Sequence, residues 1–126
     1  MESALVEKSK RFAVRVVRLC KWLQHEKQDY VISRQIIRSG TSIGANIAEA
    51  QYAISKADFQ SKLYIAMKES AETAYWIDLL CETDYITYSQ YRSLKQDNDE
   101  LLKMLTSATK TTRQPSTPRT HQPPHF

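Results

Sequence analysis

Apolar and small residues recur along the first hundred residues at alternating steps of four and three, the spacing that lines one face of an α-helix. Leu5, Ser9, Phe12, Val16, Leu19 and Leu23 form the first such row, widened by Val6, Ala13 and Cys20, and predict a helix over about 4–25. Ile32, Ile36, Gly40, Ile43, Ile47, Ala50 and Ile54 form the second, over about 31–53. The third, over about 56–83, runs Phe59, Leu63, Ala66, Ser70, Thr73, Ile77, Leu80 and opens on Ser55 with Asp58, a capping pair. The fourth, over about 88–108, opens on Thr87 with Gln90 and runs Tyr91, Leu94, Asn98, Leu101, Leu105, Ala108. Asn98 is the polar member of its row, a residue type that fixes register at some cost in stability. The pattern is all-α.

Both glycines of the chain lie in the stretch SGTSIGANIAEA, Ser39 to Ala50. A phosphate-cradling loop would follow a buried strand and commonly end in GK[ST]. Here the preceding segment has helical spacing and no lysine follows the second glycine, so the glycines are read as interior to a helix. Each costs about 1 kcal/mol there relative to alanine. Close packing offsets that cost: Gly40 and Gly44 make a G-x-x-x-G pair that, with Ser39, bares the backbone for a neighbouring helix of this chain or another. Beside the apolar row stands a polar one, Gln35, Ser39, Ser42, Asn46 and Glu49. It is either a solvent face or a second, hydrogen-bonded contact, and together the two rows make Gln35, Ser39, Gly40, Ser42, Ile43, Gly44, Asn46, Ile47 and Glu49 the candidate surface for helix packing or oligomer contact.

Composition sharpens this picture. All four prolines, Pro115, Pro118, Pro123 and Pro124, fall near the C-terminus, leaving the earlier chain without the turn residues a β fold needs. The sequence KTTRQPSTPRTHQPPHF has almost nothing apolar with which to offset its ordering entropy, so 110–126 is expected to be a disordered basic Pro/Thr-rich tail beyond a domain of 1–109. Cys20 and Cys81 stand apart from each other and from any histidine cluster, and no N-terminal apolar run resembles a signal peptide. Free thiols and a cytoplasmic location are expected.

The net charge of +4 is divided unevenly: residues 1–38 carry +5, 39–105 carry −4 and the remainder +3. On the first helix Lys8, Arg11, Arg15 and Arg18 align at helical spacing and end on Trp22, with Arg34 and Arg38 following on the second. Aligned cations with an aromatic at one end offer phosphate contacts and a stacking surface, although a solvated helix face has the same spacing. Candidates for catalysis are thin. His25 stands alone, His121 and His125 lie in the tail, and Glu69 and Glu72 are helical glutamates beside Lys68. No enzyme, cofactor or metal is expected.

The segments RFAVRVVRLCKWL, SRQIIRSGTSIGANIAEAQYAISKADFQSKLYIAMKESAETAYWIDLL and DYI are similar to the four-helix-bundle family encoded in intervening sequences of bacterial large-subunit rRNA genes, the ribosomal S23-like proteins. The resemblance covers about residues 10–110, and the pattern Q-x-x-R-x-x-x-S-I-x-x-N-I-x-E falls on Gln35, Arg38, Ser42, Ile43, Asn46, Ile47 and Glu49. Where many members place a glycine after that glutamate this chain has Ala50, which favours a helix that continues. The resemblance implies an antiparallel up-down four-helix bundle and a closed homo-oligomer, a pentamer by analogy with a distant relative, the accessory protein of diversity-generating retroelements. It also makes RNA or DNA, and a reverse transcriptase, candidate partners. Two functions stay open at this point: nucleic-acid binding through the basic face, or a scaffold that assembles with a partner enzyme.

Overall fold

The computed structural model describes residues 3–113, and its elements are four α-helices: α1 Ser3–Glu26, α2 Ile32–Ala50, α3 Lys56–Glu82 and α4 Tyr88–Arg113. Consecutive helices pack side by side, α1 on α2, α2 on α3 and α3 on α4, while α4 closes more loosely against α1. The result is the up-down bundle. Its axis is filled by the predicted rows: Leu5, Phe12, Val16 and Leu23 from α1, Ile36, Ile43 and Ile47 from α2, Leu63, Ile77 and Leu80 from α3, and Leu101 and Leu105 from α4 are all buried. Among the described residues no helix is long and apolar enough to cross a membrane.

Both predicted caps form. The Ser55 hydroxyl accepts the Asp58 amide at 3.0 Å, and the Asp58 carboxylate returns to the Ile54 amide at 3.1 Å. Thr87 Oγ1 accepts from the Gln90 amide at 3.1 Å and Gln90 Oε1 accepts from the Thr87 amide at 2.8 Å, the reciprocal capping box. The start of α2 depends on a residue the periodicity did not single out: Asp29 is buried, and its carboxylate accepts the Ser33 amide at 2.8 Å while its carbonyl accepts the Ser33 hydroxyl at 2.9 Å.

Two boundaries differ from the expectation. α2 stops at Ala50 instead of running on to about 53, and Ile54, which continued the apolar row on paper, is 93% exposed. The amides of Gln51, Tyr52 and Ala53 bond to carbonyls only three residues back, at 3.2, 3.0 and 3.1 Å, tightening the chain into a turn that needs no glycine. α4 runs to Arg113, past the expected end near 108, because Thr109 is buried and its carbonyl accepts from Gln60 of α3 at 3.3 Å. The expected tail from 114 onward lies outside the described residues.

The glycine pair faces α1 of the same chain. A Cβ at Gly40 would lie 2.8 and 2.9 Å from the two methyls of Val16, and one at Gly44 would lie 3.3 Å from the carbonyl oxygen of Ser9. Close approach of α1 and α2 therefore accounts for both glycines. Polar residues of the rows are paired inside the core. Thr73 donates to Ser39 at 2.9 Å, Ser70 donates to Asn98 Oδ1 at 2.9 Å, and Asn98 Nδ2 donates to the Ser70 carbonyl at 3.0 Å. These bonds tie α2 to α3 and α3 to α4, and they satisfy side chains that burial would otherwise penalise.

Candidate nucleic-acid interface

The basic row of α1 lies along the groove between α1 and α4, and the structure divides it. Lys8 Nζ pairs with Glu100 at 2.9 Å. The Arg15 guanidinium reaches Asp97 Oδ2 at 2.8 Å, the Ser93 carbonyl at 3.1 Å and the Ser93 hydroxyl at 2.6 Å. Arg11 and Arg18, by contrast, are exposed and have no partner among the described residues. Phe12, Val14, Leu101 and Lys10 also line the groove, with Phe12 and Leu101 buried and Val14 exposed. These pairs keep their side chains a third to a half exposed, and such pairs contribute about 0–1 kcal/mol each.

The other expected contact residues sit elsewhere. Trp22 is half-buried against the core, and the Lys27 ammonium stands 5.5 Å from its ring centroid, so its face already carries a cation. Arg34 is exposed with no partner among the described residues. Arg38 is tied to α3: it pairs with Glu69 at 3.3 Å and with Glu72, which also accepts the Trp76 indole N–H at 2.9 Å. The Arg38 hydrogen bond first, and then that of Trp76, hold the Glu72 carboxyl below the usual carboxylate range.

The polar row of α2 is not a continuous ladder. Ser39 turns inward to Thr73, the Ser42 hydroxyl donates to the Arg38 carbonyl at 2.6 Å, and Asn46 Nδ2 donates to the Ser42 carbonyl at 2.8 Å. Glu49 pairs with Lys62 of α3 at 3.0 Å, and Gln35 is exposed. Gly40, Ile43, Gly44 and Ile47 are taken up by packing within the chain. What spacing did not disclose is the acidic counterpart on α4. Asp97 and Glu100 stand three apart, one helical turn, and that spacing was the available signal.

The model of the 23S rRNA-intervening sequence protein family matches residues 1–107. The chain belongs to that family. No curated protein matches it. Among solved structures, a protein with unknown function from the S23 ribosomal protein family of Bacteroides thetaiotaomicron, determined at 1.70 Å resolution, is 53% identical. It superposes with a TM-score of 0.85, and the match covers 86% of this chain and 96% of that one. Family and fold thus agree with the resemblance carried by the Q-x-x-R-x-x-x-S-I-x-x-N-I-x-E pattern.

Proposed function

We propose that this family member is a non-enzymatic, oligomeric bundle that binds nucleic acid through the outer face of α1, as an accessory to an RNA or retroelement process. The observation that carries the reading is the pair Arg11 and Arg18: exposed, unpartnered among the described residues, and two helical turns or about 10 Å apart on the face that also presents Arg15 and Lys8. Guanidinium groups so placed reach two phosphates of one strand through charge-assisted hydrogen bonds. The family's name, which refers to an intervening sequence of 23S rRNA, supports an RNA setting.

The test changes Arg11, Arg15 and Arg18 together to glutamine and titrates the variant and the native chain against single-stranded and duplex RNA and DNA over a salt series. Each phosphate contact contributes roughly −0.7 to −0.9 to the slope of log K on log salt, so the triple variant binds more weakly and with a shallower slope. A folded variant with unchanged affinity and slope would remove nucleic acid from the reading.

Assembly is supported by a different face. The outer side of α3 exposes Ala57, Tyr64, Ala71 and Tyr75 in one row with Ser61 and Lys68, and Ile65 beside it, so this helix shows aromatic and apolar surface on its solvent side as well as toward the core. A pentamer or another closed ring of copies would cover that side. The same face favours the second reading, a scaffold for a partner enzyme such as a reverse transcriptase. Light scattering separates them: a mass near 14.6 kDa at micromolar concentration rejects the homo-oligomer.

A further inference from the structure

The groove between α1 and α4 pairs its cations with acids before any ligand arrives. Lys8 and Arg15 are met by Glu100 and Asp97 at 2.9 and 2.8 Å, while Arg11 and Arg18, in the same row, are left open. We propose that Asp97 and Glu100 are intramolecular stand-ins for phosphate that mask half of the α1 cation row, so that a nucleic acid must displace them to engage Lys8 and Arg15. This rests on the reading of α1 as a nucleic-acid surface and adds to it a built-in limit on affinity.

Three features support a displaceable mask over a structural brace. The α1–α4 contact is the loosest of the four side-by-side helix pairings, so the pairs are not enclosed by helix packing. Side-chain exposure is 33% and 53% for Lys8 and Glu100, and 37% and 47% for Arg15 and Asp97, which leaves each pair in contact with water and open to exchange. Both acids line the groove together with the open Arg11 and Arg18, so a strand running along those arginines passes directly over them. Asp97 takes a single bond from Arg15, whose other bonds go to the neutral Ser93, so an arriving phosphate, able to accept two bonds from one guanidinium, offers Arg15 a stronger partner than the groove does. Once displaced, the carboxylates remain beside the bound strand and repel it. The row therefore engages first through Arg11 and Arg18, and the mask trims both the affinity and the number of counterions released.

The experiment measures fluorescence anisotropy of labelled single-stranded RNA and duplex DNA oligonucleotides over a salt series. It compares the native chain, Asp97→Asn with Glu100→Gln, and a control of equal charge change, Glu82→Gln with Asp84→Asn. The control residues are exposed at the end of α3, the helix diagonally across from α1, and asparagine tolerates the positive φ of 65° at Asp84. Neutralising the acids removes the charged partners of Lys8 and Arg15 and leaves Arg15 only the neutral Ser93, which a phosphate outcompetes; with two contacts so gained, the groove variant is expected to bind roughly 25- to 60-fold more tightly at 0.1 M salt, with a slope steeper by about 1.4–1.8. The control acts only through the screened field of the whole protein and moves both far less. Circular dichroism establishes that both variants stay folded.

If the groove variant matches the control in affinity and slope while Arg11→Gln with Arg18→Gln still weakens the native chain, the mask is overturned and the nucleic-acid surface stands. If neither the native chain nor the groove variant binds any of the probes, mask and surface fall together. Binding that appears only in the groove variant supports the mask in its strongest form.

Discussion

Against α2, helix α1 approaches so closely that a methyl group on Gly40 would stand 2.8 Å from Val16; against α4, the same helix is joined by exposed ion pairs around a groove. The first seam is buried, close-packed and specific in shape. The second is wet and specific in charge. Packing of the first kind decides which structure forms, because a mismatch of one methylene is felt throughout a close-packed interior. Pairs of the second kind contribute little to folding and leave their groups available for exchange with an outside charge. One helix thus builds the fold with one face and presents chemistry with the other.

The contrast is broken most severely at the glycines. Gly40→Leu, and likewise Gly44→Leu, forces overpacking against α1 and is expected to cost about 1–3 kcal/mol or more in denaturant unfolding. Gly40→Ala sharpens the point. Alanine gains about 1 kcal/mol of helix propensity, yet the variant should still lose stability unless Val16→Ala is added, and a double-mutant cycle reads that coupling. A coupling energy of zero, the double variant losing only the sum of the two single losses, would mean that α1 and α2 do not meet there.

Next in size is the buried amide. Asn98→Ala strands the buried Ser70 hydroxyl, while the Ser70 carbonyl keeps its bond within α3, at an expected cost of about 1–3 kcal/mol, whereas removing an exposed partner such as Lys8 strands no buried group. A calorimetric melt of each variant compares them directly.

Cys20 tests the close-packed seam through pH. Burial first, and then the charge of Asp29, push its thiol up to about 12, and its Sγ donates to the Ser33 carbonyl at 3.2 Å. The native state favours the protonated thiol. Its contribution is therefore complete below the ordinary thiol range and is lost as pH rises through that range toward 12, so stability declines in alkali and Cys20→Ala flattens the decline. At pH 8 a thiol reagent should modify the half-buried Cys81 of the native chain and reach Cys20 only in denaturant. The smallest effect belongs to the wet seam. Lys8→Gln or Arg15→Gln should shift stability by less than about 1 kcal/mol, even where it changes nucleic-acid affinity.

The helices were legible because each apolar row is a local signal repeated over several turns. Ile54 shows where that signal stops: spacing alone carried the row into a turn whose cause is the bonding of three amides to carbonyls three residues back. Ser70, Thr73 and Asn98 could be placed on the core face, but their partners depend on how neighbouring helices align axially, which one helix's sequence does not record. The same holds for the site. The row Lys8, Arg11, Arg15, Arg18 was visible because it lies on one helix; that α4 claims two of its members follows only from the closed bundle.

The bonds of Ser39 to Thr73 and of Ser70 to Asn98 have a consequence for the loops. A slide of one turn, about 5.4 Å, between α2 and α3 or between α3 and α4 would tear these groups apart inside an apolar interior. Axial alignment is thus set from within, like dowels set into facing boards. The connections after Ala50 and after Glu82 are relieved of that task, and short flexible insertions there would lengthen the path of the chain while leaving the spacing of its surface charges unchanged.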